Sequence, residues 1–169
     1  MELETIFYLS IGSNLGDRTS YLEKGIRTLE KHSCRITRLS SVYETSAVGL
    51  IDAPDFLNIC VEGSTTMEPS VLMKTLLEIE QTFGRQRSGL GLSSRTLDMD
   101  LILFGNTVVN SSELTVPHPR YLTRRFVLEP LLEINPNLVD PAEMKPVFDF
   151  FVELTDFSEV KKLEISLFT

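Results

Sequence analysis

Apolar residues run along this chain in two rhythms. Ile6-Phe7-Tyr8-Leu9-Ser10-Ile11-Gly12 is a nearly continuous apolar run closed by a turn, the pattern of a strand covered on both faces. Turn formers from Gly12 to Asp17 follow, with Asp17 placed to cap a helix. Leu22, Ile26 and Leu29 then recur at helical spacing through Lys31. Arg35 to Glu44 alternates polar and apolar residues and predicts a half-buried strand. A loop around Gly49 to Pro54 leads to Phe56, Ile59 and Val61, expected in a second strand paired with the one before it. Pro69 suits the first turn of a helix whose apolar positions, Leu72, Leu76, Ile79 and Phe83, run to Gly84, a natural stop. Thr96 to Phe104 alternates as another strand, with Gly105-Asn106 turning into Thr107-Val108-Val109. Pro117 to Leu138 reads as a loop plus a helix built on Phe126, Leu128, Leu131 and Leu132. The tail from Pro146 is apolar-periodic, and Val160 to Phe168 fits either a helix or an edge strand.

Strand, helix, strand, strand, helix, strand is the order of a ferredoxin-like α+β sandwich (βαββαβ), an antiparallel sheet with both helices on one face. A C-terminal helical extension follows. No repeat or Gly/Ser linker divides the 169 residues, so one domain over 1–169 is expected. A content of 42% hydrophobic and 24% charged residues excludes a disordered or fibrous chain. The net charge of -8 repels polyanions, so nucleic acid is not an expected partner. Apolar runs no longer than Leu101-Ile102-Leu103-Phe104 fall far short of the roughly 20 residues that span a bilayer, so no membrane is expected either. The acidic start, Met1-Glu2-Leu3-Glu4, is unlike an export signal. Cys34 and Cys60 sit in apolar-alternating stretches without metal-ligand spacing and read as buried thiols. The expected location is the cytoplasm.

The densest chemistry lies in Arg95-Thr96-Leu97-Asp98-Met99-Asp100-Leu101. Residues two apart on a strand share a face, so Asp98 and Asp100 point one way and Leu97, Met99 and Leu101 the other. Two carboxylates this close repel, and a divalent cation such as Mg²⁺ between them relieves the repulsion. The alternative is a solvated strand end with two ordinary acids. Arg85, Arg87, Arg95, Arg120, Arg124 and Arg125 stand in one window with three acids and no lysine; that window carries +3, leaving -11 for the rest. Arginines without lysines suit bidentate phosphate recognition, the alternative being salt bridges to the protein's own acids. His118, held between Pro117 and Pro119, stands beside them as a candidate hydrogen-bond donor to phosphate. Gly12 to Asp17 is neither a dinucleotide fingerprint nor a P-loop, and no nucleophile elbow or zinc motif is present.

Four segments in order carry a family resemblance: Leu9 to Gly16; Tyr43-Glu44-Thr45 through Pro54-Asp55-Phe56-Leu57-Asn58; Arg95 to Asp100; and Val116-Pro117-His118-Pro119-Arg120. Along nearly its whole length the chain resembles the 6-hydroxymethyl-7,8-dihydropterin pyrophosphokinases of folate synthesis. The resemblance implies that ATP, as co-substrate, donates a pyrophosphoryl group to the pterin hydroxymethyl oxygen and leaves as AMP. It implies two Mg²⁺ ions on Asp98 and Asp100, with Arg85 and Arg95 joining these aspartates as catalytic residues. It places Glu80, Arg85, Arg95, His118 and Arg124 at ATP, and Thr45, Val48, Phe56, Asn58 and Phe126 at the pterin. Phe56 and Phe126 would stack on the ring and Asn58 read its amide-like edge. Fusion to, or association with, a neighbouring folate-pathway enzyme is also implied. The chain departs from the family at Leu92, where many members have tryptophan, and at Ser94, where proline is usual. The loop from Ser88 to Ser94 is thus expected to be mobile and to close with leucine in place of indole. The competing reading is a non-catalytic ferredoxin-like nucleotide-binding module.

Overall fold

The structure is a computed structural model that describes residues 3–47, 49–84 and 94–168. In chain order the elements are β1 (Thr5–Ser13), α1 (Arg18–Glu30), β2 (Cys34–Leu39), β3 (Tyr43–Thr45), β4 (Phe56–Thr65), α2 (Pro69–Thr82) and β5 (Asp98–Phe104). Then come β6 (Val109–Asn110), β7 (Thr115–Val116), a 3-10 turn (Tyr121–Thr123), α3 (Arg125–Ile134), β8 (Val139–Asp140), β9 (Lys145–Pro146), α4 (Val147–Val152) and β10 (Val160–Lys162). Asp17 caps α1 as its sequence position suggests, its Oδ1 accepting the Ser20 N–H at 3.1 Å.

The main sheet has the order β10-β3-β4-β1-β5, with β2 also on β4, and every neighbouring pair is antiparallel. The interleaving of β1, β4 and β5 with α1 and α2 is that of the ferredoxin-like fold. The expected strand over Arg35 to Glu44 is two strands laid end to end along β4, Cys34–Leu39 against Val61–Thr65 and Tyr43–Thr45 against Phe56–Asn58. Ser40 makes the break: its N–H donates to the Cys60 carbonyl at 3.0 Å, while its Oγ replaces a main-chain carbonyl in accepting the Cys60 N–H at 2.9 Å. Val109-Asn110 pairs with Thr115-Val116 as a separate ribbon. The tail resolves as an edge strand, with Val160 opposite Thr45 and Lys162 opposite Tyr43.

Two cores sandwich the sheet. On one face Leu22, Ile26 and Leu29 of α1 and Leu72, Leu76 and Ile79 of α2 pack with Leu9, Ile11, Met99 and Leu101. On the other, Val127, Leu128 and Leu131 of α3 pack with Tyr8, Cys60, Ile102 and Leu103. β5 serves both faces by strand alternation, and a bulge where its register against β1 slips between Tyr8 and Leu9 turns consecutive residues Ile102 and Leu103 to the α3 side. Cys34 and Cys60 are free, buried thiols, and burial pushes both up from the usual thiol range. Among the described residues no helix is long and apolar enough to cross a membrane.

Candidate active site

Helix α3 covers only part of its sheet face. A ten-residue helix is about 15 Å long, and its buried residues meet the sheet around Tyr8 and Cys60. Beyond its N-terminus the same face continues uncovered. Ser10 lies opposite Asp100, Gly12 opposite both Asp98 and Asn58, and Phe56 opposite Thr45. Side chains of alternating residues on β1, β3, β4 and β5 therefore line the floor of one cavity of about 610 Å³. Arg124 and Phe126 rim it from the start of α3, and Arg95, His118 and Arg120 from the loops.

Asp98 and Asp100 both reach this cavity, while Met99 between them is buried in the core beneath. The alternation expected from the sequence is therefore what orients the pair. Arg95 Nη1 lies 2.8 Å from Asp98 Oδ1, so one member of the arginine cluster does pair with the protein's own acid. His118 Nε2 lies 3.9 Å from Asp100 Oδ2. The Arg120 N–H donates to His118 Nδ1 at 3.1 Å, which leaves Nε2 as the protonated nitrogen of the neutral ring. Burial, with Arg124 and Arg120 nearby, lowers the His118 pKa to about 4. The imidazole is neutral near pH 7, a hydrogen-bond donor and not a cation. Burial and the neighbouring Arg120 likewise lower the pKa of Arg124.

Among the described residues no three His, Cys, Asp or Glu side chains gather as a metal cage. Two carboxylates on an open wall, flanked by guanidiniums, are instead the donor set of a Mg²⁺ that completes its shell with phosphate oxygens and water. Asp98 and Asp100 fit that role.

At the other end of the cavity, Asn58 Nδ2 donates to Thr45 Oγ1 at 2.8 Å. Both residues are buried, and the partly buried rings of Phe56 and Phe126 line the same cavity. Gly12 makes room for that amide: a Cβ there would stand 2.9 Å from Asn58 Oδ1. The result is a slot walled by aromatics with a fixed polar edge, suited to a flat heterocycle.

Of the residues singled out from the sequence, Thr45, Phe56, Asn58, Arg95, Asp98, Asp100, His118, Arg124 and Phe126 line this one cavity. Glu80 does not line it. It is buried beneath β5, where Oε1 accepts the Met99 N–H at 2.7 Å, directly under the aspartate pair. Arg85, Val48 and Leu92, and with Leu92 most of the expected lid, lie outside the described residues.

Sequence reasoning assigned Asn14 no role of its own, reading it as a turn former within the first resemblance segment. Its side chain is fully buried and ties two loops together: Oδ1 accepts the Arg95 N–H at 2.6 Å, and Nδ2 donates to Pro54 O at 3.2 Å and Ser94 Oγ at 3.1 Å. Also missed were Asp156 and Ser158, which line the cavity from the tail. No local motif marks either residue.

The family model described as 7,8-dihydro-6-hydroxymethylpterin-pyrophosphokinase (HPPK) matches residues 8–136. A 2-amino-4-hydroxy-6-hydroxymethyldihydropteridine pyrophosphokinase of Bacillus subtilis is 41% identical over 133 residues, covering 78% of this chain and 79% of that protein. A bifunctional protein of Lactococcus lactis is 37% identical over 150 residues, covering 88% of this chain and 42% of that one. A crystal structure of Plasmodium falciparum HPPK-DHPS superposes with a TM-score of 0.72 at 14% identity, over 90% of this chain and 46% of that chain, and shows a shared fold. This chain thus spans less than half the length of the latter two proteins. With the aspartate pair, the arginines and the aromatic slot in one cavity, and a family match that runs from β1 through α3, the chain belongs to the 7,8-dihydro-6-hydroxymethylpterin-pyrophosphokinase family.

Proposed function

We propose that this cavity transfers the terminal diphosphate of ATP to the hydroxymethyl oxygen of 6-hydroxymethyl-7,8-dihydropterin, yielding the pterin diphosphate and AMP for folate biosynthesis. The observation that carries the residue assignment is the single cavity joining a carboxylate pair and three arginines at one end to an aromatic, amide-edged slot at the other. The hydroxymethyl oxygen attacks the β-phosphorus of ATP and loses its proton to solvent. The new O–P bond forms as the bond from the β-phosphorus to the bridging oxygen breaks, and AMP leaves with that oxygen. Little covalent work falls to the protein. Its task is to align acceptor and donor and to neutralise charge.

Asp98 and Asp100 would hold Mg²⁺, two ions in the fullest form of this reading, which supplies charge neutralisation on the phosphate oxygens when bound. Arg95, Arg124 and the neutral Nε2–H of His118 orient the triphosphate through charge-assisted and ordinary hydrogen bonds. Arg95 has two roles in sequence. Paired with Asp98 it lowers the repulsion between the carboxylates of the free protein, and it turns to phosphate as the nucleotide enters. Phe56 and Phe126 sandwich the pterin, and Asn58 and Thr45 read its polar edge. Glu80 acts from below by fixing the main chain between the two aspartates. We further propose that residues 1–169 work as one unit, since a single sheet carries both cores, and that they do so in the cytoplasm, the location expected from the sequence. The bifunctional Lactococcus relative, with a folate synthesis bifunctional protein of Arabidopsis thaliana that is 36% identical over 126 residues, supports a setting beside another folate-pathway enzyme.

Incubation of the full chain with ATP, Mg²⁺ and the hydroxymethyl pterin tests the reading. AMP should appear in equal amount with pterin diphosphate, without ADP. ADP formation, or no turnover, would defeat it and favour a non-catalytic nucleotide-binding module. Gly12→Ala tests the acceptor end: the added Cβ displaces the Asn58 amide, so the KM for the pterin should rise by roughly tenfold while that for ATP changes little. Unchanged steady-state constants for both substrates would place the pterin elsewhere.

A further inference from the structure

The family match ends at residue 136, yet the cavity does not. Beyond it, β10 adds to the free edge of β3, setting Val160 opposite Thr45, a residue of the heterocycle slot. The chain entering β10 therefore passes the open side of that slot. There Asp156 and Ser158 form part of the cavity wall, and Phe157 between them is 84% exposed.

Asp156 is tied in at three points. Oδ2 accepts the Arg125 N–H at 3.0 Å, and Oδ1 accepts both the N–H of Ser158, at 3.0 Å, and its hydroxyl. Arg125 opens α3, and its predecessor Arg124 provides no side-chain cap. A first-turn N–H without a capping partner has no acceptor in its own helix. Asp156 supplies that acceptor from a segment 31 residues away in sequence. Its opposed influences have a clear net direction: burial raises the pKa of Asp156, but the Ser158 and Arg125 hydrogen bonds and the Arg125 charge outweigh it and hold the carboxyl below its usual value. The amide it grips lies between the two residues at the start of α3 that face the cavity, the N-cap Arg124 and Phe126; the Arg124 guanidinium sits 5.7 Å from the Phe126 ring centroid. Arg125 itself turns away, to Glu129 at 3.1 Å and over the Phe151 ring of α4.

We propose that the C-terminal segment 154–162 is a structural part of the acceptor pocket, with Asp156 the positioning residue that sets Arg124 and Phe126 by capping α3. This rests on the pyrophosphokinase reading of the cavity. The segment couples the two ends of the reaction: one main-chain anchor fixes both the cation that faces phosphate and the ring that faces the pterin. Its strand pairing to Thr45 holds the opposite wall of the same slot, so both walls share one support.

Asp156→Ala in the full chain tests this. Well below the melting temperature, the KM for the hydroxymethyl pterin should rise by roughly tenfold, with kcat changing by less than about threefold. Asp156→Asn keeps one acceptor and should fall between the two. A lower maximal rate at unchanged KM, with a lower melting temperature, would mean a contribution to stability alone and would overturn the proposal. Should the alanine variant fail to fold, hydrogen exchange on the wild type decides. Pterin with a non-hydrolysable ATP analogue should slow the amides of residues 156–158 and of Arg125, and no slowing there overturns the proposal. Wild-type turnover to AMP, measured alongside, separates this outcome from a failure of the pyrophosphokinase reading.

Discussion

Asp98→Ala and Asp100→Ala are each expected to lower kcat/KM by about a thousandfold or more, equivalent to roughly 4 kcal/mol of transition-state stabilisation. Both carboxylates face one cavity beside Arg95 and His118, and no third acidic, histidine or cysteine ligand joins them among the described residues. Losing one therefore halves the protein's share of the Mg²⁺ site. The loss also unbalances the arginines. Without Asp98 the Arg95 guanidinium has no carboxylate 2.8 Å away to hold it in the free protein. Steady-state kinetics across a Mg²⁺ titration gives the measurement, with thermal melts to show that the variants fold. Since both side chains are partly exposed at the cavity wall, the melting temperature should stay near that of the wild type. Activity like that of the wild type in either variant would mean that the metal sits elsewhere.

Gly63→Ala should produce the largest loss of stability from a single methyl group. Gly63 sits near the C-terminal end of β4, with Phe7 of β1 on one side and Ile36 of β2 on the other. A Cβ there would lie 2.4 Å from Phe7 Cζ and 2.9 Å from the Arg35 carbonyl oxygen. The ring is wholly buried and packed on every side, and the carbonyl belongs to the strand beside it. Neither yields without disturbing the sheet, because interiors are close-packed. Overpacking of this kind costs about 1–3 kcal/mol, and at roughly 2–4 °C per kcal/mol for a chain of this length the melting temperature should fall by roughly 2–12 °C. Residual activity at 25 °C should persist, because Gly63 is remote from the cavity floor in register. A melting temperature within a degree of the wild type would show that β4 relaxes there more easily than its neighbours suggest.

The two substitutions mark different kinds of information in the chain. The Asp98/Asp100 pair could be placed on one face from spacing alone, because a strand imposes a period of two wherever it lies. The aromatic residues Phe56 and Phe126 were nominated by resemblance; they come together only because α3 lies across the face of β4, 70 residues earlier in sequence. Glu80, too, takes its position from the tertiary fold. A helical carboxylate matched to the nucleotide site proves to be buried under β5 on the Met99 N–H, a placement that depends on how α2 docks and that no local pattern encodes.

Read alone, the amino-acid order determined the element types from β1 to α3 apart from the break within residues 35–44, the antiparallel βαββαβ order, the arginine-only window and the orientation of the aspartate pair. Each of these follows from periodicity, turn chemistry or charge, which act over a few residues. Tertiary structure alone decided that α3 takes the face opposite α1 and α2, that the 35–44 stretch splits at Ser40, and that the tail becomes an edge strand on β3. It also decided the partners of Asn14 and Asp156. Their hydrogen bonds span 81 and 31 residues, and such pairings are selected by the closing of the whole sheet, since only there do the opposed groups lose their water together.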